Sequence, residues 1–213
     1  MKEPKLIVVS GFSGAGKGSI LKFLKERSDI EIVRSITTRP QRSTDDYYEF
    51  VSVSEFERRL AAGEFLEANK YTSGYYGTPL DSVKQIMRSG RIPLLEIDCN
   101  GYRQVLESGY FSLDEICSIF VAADGIDLLS RFHARGTENI PQIISRLETA
   151  IIESNSTPLY KNLLINKYLR ESVEKLRQIL EGKTVRDEFD IIAFQQETTE
   201  IITKLKNLWK EEI

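Results

Sequence analysis

Apolar residues fall along this chain in short continuous runs, separated by stretches in which they recur at helical spacing. The first run, Leu6 to Val9, reads as a strand, and Ile20 to Lys25 behind it reads as a helix. Ile30 to Ile36 alternates loosely and predicts a second strand, and Tyr47 to Val51 a third. Ser54 and Glu57 match a capping box that starts a helix through Ala62, with Gly63 as its stop. Phe65–Glu67 and Tyr75–Thr78 are short aromatic strands around a Thr72-Ser73-Gly74 turn, which suggests a small antiparallel insertion. A helix over Leu80–Arg88 ends near Gly90. Further on, Ile92–Asp98, Ile116–Val121 and Leu163–Asn166 read as apolar strands, while Asp127–Ala134 and Glu171–Leu180 read as helices stopped at Gly136 and Gly182. Strands alternating with helices predict an α/β fold with a mostly parallel core sheet.

The tail from Asp187 to Ile213 keeps a helical rhythm in Ile191, Ile192, Phe194, Ile201, Ile202, Leu205, Leu208 and Trp209, weakened in the middle by Thr198. One or two amphipathic helices are expected there. Packing onto the parent core is the expected use of the stripe. The alternative is a homodimer contact, because an exposed stripe of that size is unusual for a monomer.

Between the first strand and helix lies Gly11-Phe12-Ser13-Gly14-Ala15-Gly16-Lys17-Gly18-Ser19. Gly11, Gly14 and Gly16 allow the backbone to fold close around an anion, since glycine has no Cβ to block positive φ or close approach. N–H groups then converge at a helix N-terminus, where the dipole favours negative charge. Lys17 adds a mobile charge for the outer phosphates of a nucleoside triphosphate. The strict phosphate-loop pattern wants Ser or Thr right after the lysine; here Gly18 intervenes and the hydroxyl comes at Ser19.

Three other stretches carry chemistry. Ser35-Ile36-Thr37-Thr38-Arg39-Pro40-Gln41-Arg42 is broken by proline and offers two guanidinium forks suited to phosphate. The strand ending at Asp98 places acids where an open parallel sheet faces its ligand crevice. Arg131, Arg135 and Arg146 stand around Gly136-Thr137-Glu138, a glycine-punctuated helical hairpin that reads as a lid, against the default of solvated helix charges.

Composition narrows the classes. A chain of 213 residues, 41% hydrophobic and 29% charged, can bury a sizeable core and is not compositionally disordered. Its net charge of -3 gives no reason to expect nucleic acid or an anionic membrane as partner. No apolar run approaches the ~20 residues that span a bilayer, and no signal-peptide pattern opens the sequence. Cys99 and Cys117 lack metal-ligand spacing and read as reduced thiols, consistent with a cytoplasmic location. His133 has no His or Cys companion and reads as a surface residue on a helix.

From Leu6 to about Leu180 the chain resembles the guanylate kinase family. The resemblance rests on the ordered motifs Ser-Gly-Phe-Ser-Gly-Ala-Gly-Lys, Ser-Ile-Thr-Thr-Arg-Pro-Gln-Arg, Gly-Glu-Phe-Leu-Glu, Gly-Tyr-Tyr-Gly-Thr, Leu-Glu-Ile-Asp and Ala-Arg-Gly-Thr-Glu. It implies a nucleoside monophosphate kinase fold of the phosphate-loop type, with a parallel core sheet flanked by helices, a small mixed-sheet GMP-binding insertion and a helical lid. The implied division is core over 1–34, 98–126 and 159–182, insertion over 35–97, lid over 127–158 and a helical extension over 183–213.

The implied reaction is Mg²⁺-dependent transfer of the γ-phosphoryl group of ATP to GMP or dGMP. By the same resemblance, ATP is held by Gly11, Ser13, Gly14, Ala15, Gly16, Lys17, Gly18 and Ser19, with Asn166 toward the donor base. Ser35, Arg39, Arg42 and Tyr48 look like the grip on the GMP phosphate, with Tyr76 near it. Glu67 and Thr78 look like readers of the base, and Asp98 like an acid that reaches the base or orders the metal's water. Lys17, Arg39, Arg131, Arg135 and Arg146 look like the catalytic cations, and Ser19 is the nearest hydroxyl for Mg²⁺, directly or through water. Three departures stand out: Phe12 occupies a position where the family usually has proline, Glu96 replaces a common aspartate, and the stretch Ser43–Tyr47 is shorter than usual. Two other readings compete. One is a guanylate-kinase-like module that only binds. The other is a related kinase with a different phosphorylated acceptor, such as a ribose bisphosphate.

Overall fold

The computed structural model describes residues 4–41 and 48–211 of the chain. In chain order its elements are β1 (Leu6–Gly11), α1 (Lys17–Lys25), β2 (Ile30–Ile32), β3 (Ser35–Thr37), β4 (Tyr48–Phe50), α2 (Val53–Ala61), β5 (Phe65–Tyr71), β6 (Gly74–Pro79) and α3 (Leu80–Arg88). They continue with β7 (Ile92–Glu96), α4 (Cys99–Glu107), β8 (Ile116–Ala122), α5 (Gly125–Arg135), α6 (Ile140–Ser154), β9 (Asn162–Ile165), α7 (Leu169–Leu180) and α8 (Ile191–Glu211). Two compact units share them. One takes the residues up to Val9 with Leu24–Cys117, and the other takes Ser10–Phe23 with Ser118–Ile213.

In the first unit β2, β7 and β1 lie side by side and parallel, with Ile7 opposite Leu94 and Ile30 opposite Ile92. Leu6, Ile7, Val8, Val9, Leu94 and Leu95 are all buried, the near-continuous apolar reading that a parallel strand covered on both faces requires. A second, mixed sheet runs β4-β3-β6-β5, where β3 pairs parallel with β4 and antiparallel with β6. The stretch read as one strand from Ile30 to Ile36 is therefore two strands in two sheets. Val33 still donates to Leu94 O, and the chain leaves the core sheet after it.

In the second unit β8 and β9 are parallel, with Phe120 opposite Leu163, and the end of β1 lies against Val121 through the Phe12 amide. Helices α5, α6 and α8 pack on one another. The tail forms one helix, not two. Thr198, expected to weaken its middle, is fully buried, and Phe194, Ile201, Ile202 and Leu205 are buried beside it, whereas Ile192, Leu208 and Trp209 remain exposed.

Two boundaries differ from the sequence reading for local reasons. Helix α2 is capped by Ser52, whose side chain accepts the Glu55 amide, so the hydroxyl two residues ahead of Ser54 takes the capping role. Helix α4 falls in a stretch that the sequence reading leaves unassigned, although Cys99, Tyr102 and Val105 recur three apart and are buried. Its start is fixed by Asp98, whose carboxylate accepts the Gly101 amide at 2.8 Å.

Candidate active site

The second unit holds the phosphate loop. Gly11, Gly14 and Gly16 all have positive φ. A Cβ on Gly11 would stand 2.1 Å from Val121 O, and one on Gly16 would stand 2.4 Å from Asn166 Nδ2. Both glycines are thus required by close approach as well as by conformation. Lys17 opens α1, and its ammonium donates to Gly11 O at 2.6 Å and Phe12 O at 3.1 Å. These are neutral carbonyl acceptors. Charged phosphate oxygens make the stronger charge-assisted bond, so Lys17 is tethered at the loop in a way an incoming phosphate can displace.

Around a cavity of about 360 Å³ stand Gly14, Gly16, Ser19, Arg131, Arg135 and Asn166. Arg131 on α5 donates to Gly14 O at 3.3 Å and to Asn166 O. Arg135, one turn later, is exposed along the same rim. Arg146 on α6 donates to the Ser13 hydroxyl, pairs with Glu138 at 3.2 Å and lies over the Phe132 ring. Asn166 is buried, with its amide donating to Ala15 O at 2.7 Å and accepting from the Ser172 hydroxyl at 2.9 Å. Its side chain is a strut of the loop, with one of its two N–H groups and one oxygen lone pair engaged. Gly18 has no heavy atom within 4 Å of where a Cβ would stand.

The first unit holds a second candidate pocket, a cavity of about 110 Å³. Glu67 lines it and belongs to a cross-strand pair. Glu67 on β5 faces Thr78 on β6, and the Thr78 hydroxyl donates to Glu67 Oε1 at 2.6 Å. Ser35 and Tyr48 are brought together as partners in the β3–β4 ladder and also line the pocket. Tyr76 lines it too, with its ring edge-on to Tyr48 and Tyr71. Arg39 is buried, donates to Pro40 O at 2.9 Å and lies over the rings of Tyr48 and Phe50, which fix the plane of its guanidinium. Arg42 lies outside the described residues.

Burial raises the Glu67 carboxyl from 4.5 to about 7, with the charge of Asp98 adding to the rise, against lowering by the Thr78 hydroxyl and amide and by Asn69. The carboxylate also sits at the first turn of α4, where a Cβ on Gly101 would come 2.8 Å from Glu67 Oε2. Asp98, beyond capping α4, accepts the Tyr71 hydroxyl on its second oxygen.

Two pocket residues escaped the sequence reading, Asn69 and Tyr71. The signal was present, because period-two alternation from Glu67 puts residues 67, 69 and 71 on one face of β5. Asn69 donates to Glu67 Oε2 at 3.1 Å, and its carbonyl accepts from Gln104 at 2.9 Å and from Asn100. With two amide donors aimed at its oxygen, the Asn69 NH₂ is forced toward Glu67. Among the described residues no group of three or more His, Cys, Asp or Glu side chains is placed to hold a metal ion. No helix among them is long and apolar enough to cross a membrane.

The family model for guanylate kinase matches residues 3–183. A guanylate kinase of Mycoplasmoides gallisepticum is 37% identical over 185 residues, covering 84% of this chain and 93% of its own. One of Symbiobacterium thermophilum is 38% identical over 196 residues, covering 87% and 90%. A crystal structure of guanylate kinase from Anaplasma phagocytophilum superimposes with a TM-score of 0.65 at 23% identity, over 86% of this chain and 88% of that one, which speaks to the fold.

Proposed function

The chain belongs to the guanylate kinase family, and we infer that it is an ATP:GMP phosphotransferase, moving the γ-phosphoryl group of ATP to GMP with formation of ADP and GDP. The observation that carries the acceptor assignment is the Glu67 carboxyl lining the pocket, hydrogen-bonded to the Thr78 hydroxyl. An ionised carboxylate only accepts, so it matches the adjacent N1–H and N2–H donors of guanine, while the Thr78 hydroxyl can turn to donate to O6. Adenine presents a ring acceptor there, and a buried carboxylate left facing an acceptor discriminates strongly.

In this reading residues 35–97 form the acceptor insertion, with Ser35, Arg39, Arg42, Tyr48 and Tyr76 on the GMP phosphate. The loop from Gly11 to Ser19 holds the ATP phosphates, and Arg131, Arg135 and Arg146 in the lid over 127–158 lend positive charge to the moving group. Phosphoryl transfer asks the protein for in-line positioning, charge neutralisation and exclusion of water, without a protein nucleophile. Ser19, on the rim of the donor cavity, and Asp98, with oxygen lone pairs beyond its two hydrogen bonds, are hard donors that fit Mg²⁺, a cation that keeps waters and leans on substrate phosphates. When bound, the ion neutralises charge on the β- and γ-phosphate oxygens.

An ADP-release assay with GMP, dGMP, AMP and ribose 1,5-bisphosphate tests the assignment. Preference for GMP and dGMP is expected. Turnover with a non-guanine acceptor would replace the acceptor assignment, and ATP binding without any turnover would favour the binding-module reading. Lys17→Met is expected to lower kcat by at least about 100-fold with the melting temperature retained, as for loss of a preorganised charge at the transition state. An unchanged kcat would remove Lys17 from the mechanism.

A further inference from the structure

A phosphate loop is built of small residues so that backbone can approach the anion, yet here a phenylalanine stands second in it. Phe12 is fully buried. Its ring stacks on Phe194 at 4.9 Å and 7°, meets Phe120 edge-on at 5.1 Å and lies 6.1 Å from Phe189. Phe189 and Phe194 also touch each other, at 5.2 Å. Phe120 is on β8, but Phe189 and Phe194 lie beyond residue 183, where the family match ends. Among the described residues, two of the three aromatic partners of this loop residue are therefore supplied by the extension.

What the ring fixes is backbone. The Phe12 amide donates to Val121 O at 3.1 Å, and its carbonyl accepts both the Ala15 amide at 3.1 Å and the Lys17 ammonium at 3.1 Å. A shift of the ring therefore moves the perch of Lys17. The same helix reaches the arginine-bearing hairpin. Gln195 donates to the Ser154 hydroxyl at 2.9 Å and to Asn155 Oδ1 at 3.2 Å at the end of α6, and Lys206 pairs with Glu148 at 2.8 Å. At the start of α5, Gly125 is so close to α8 that a Cβ there would stand 2.6 Å from Thr198 Oγ1.

We propose that α8 braces the donor side of the active site, with Phe194 a positioning residue that holds the phosphate loop through the ring of Phe12. The proposal rests on the phosphotransferase reading above. It predicts an effect confined to ATP, because Phe194 stacks on the loop, whereas a helix that merely covers apolar surface would affect both substrates through stability alone.

The test compares Phe194→Ala, Phe194→Leu and Leu205→Ala in the full chain, by melting temperature, calorimetric affinity for ATP and KM for each substrate. Leu205 is buried on the same helix three turns further on, about 16 Å along its axis. Phe194→Ala is expected to raise the Kd and KM for ATP about tenfold and leave the KM for GMP within about twofold, since misplacing a catalytic group slightly is costly. Phe194→Leu, which keeps apolar volume, should show a smaller rise of the same kind and carries the test if the alanine variant does not fold. Leu205→Ala should lower the melting temperature with ATP affinity retained. The proposal is overturned if Leu205→Ala weakens ATP as much as Phe194→Ala, if both substrates weaken together, or if neither Phe194 variant changes ATP affinity. Failure of the unaltered chain to phosphorylate GMP would instead overturn the phosphotransferase reading, with the calorimetric comparison still decisive for α8.

Discussion

Glu67 carries a conflict between stability and recognition. Burial lifts its carboxyl to about 7, which favours the protonated form in the folded chain, whereas the guanine recognition proposed for it needs the carboxylate. For a carboxyl raised on folding, the native state binds more protons between the unfolded and folded pKa values, so stability falls as pH rises from about 4.5 to 7. Glu67→Gln should therefore stabilise the unliganded protein at pH 8, by up to about 3 kcal/mol, while raising the KM for GMP by roughly 100-fold or more. A melting temperature at pH 8 that falls or stays unchanged would show that the carboxylate is not a liability. For the same reason kcat/KM for GMP in the unaltered protein should climb between pH 6 and 8, since that parameter reports groups of the free enzyme. Asn69→Ala removes a donor that favours the ionised form, so it should move the rise to higher pH with kcat at saturating GMP retained. Glu67 and Thr78 were legible because their motifs are local. Asn69 was legible only as sharing a strand face with Glu67, since the orientation of its amide comes from Gln104 and Asn100 on α4, an element that the sequence reading leaves unassigned.

At the level of elements, the hairpin bearing Arg131, Arg135 and Arg146 is set by its ends. Gly136 closes α5 in the left-handed region at φ 62, its amide donating to His133 O at 3.1 Å and Phe132 O at 3.3 Å. Asn139 then opens α6 with a capping box, its side chain accepting the Gln142 amide at 3.0 Å while Gln142 takes the Asn139 amide at 2.9 Å. No heavy atom lies within 4 Å of where a Cβ on Gly136 would stand, so the cost of Gly136→Ala is conformational alone, about 1 kcal/mol. Gly18 is open in the same way but sits inside α1 with no positive φ, so Gly18→Ala should stabilise by roughly 0.5–1 kcal/mol. Urea unfolding of the two variants should move the midpoint in opposite directions, and a shared direction would defeat the assignment of both to backbone conformation. The stop at Gly136 was readable in advance because a helix C-terminus has a glycine signal. The split of the stretch from Ile30 to Ile36 into β2 and β3 was not, because nothing local tells an alternating run that its two ends pair with different sheets.

At the scale of the whole molecule, the motifs shared with the family made the α/β class and the two candidate pockets legible, while the extension was legible only as a stripe. Helical spacing in the stripe predicts that a face is buried, not what buries it. The structure buries Phe194, Ile201, Ile202 and Leu205 within the chain and leaves Ile192, Leu208 and Trp209 exposed. Each such burial contributes about 1.5–3 kcal/mol, and the aromatic partners of Phe12 go with them. Against a domain stability of about 5–15 kcal/mol, losing this set is decisive. Truncation after Lys183 should therefore yield insoluble protein, or a soluble chain without a cooperative melt, whereas the full chain should scatter light with the mass of a monomer. A truncated chain that melts like the full one would mean that α8 contributes nothing to the fold. A full chain with the mass of a dimer would assign Ile192, Leu208 and Trp209 to a contact between copies, and the dilution dependence of its melting temperature would then measure that contact.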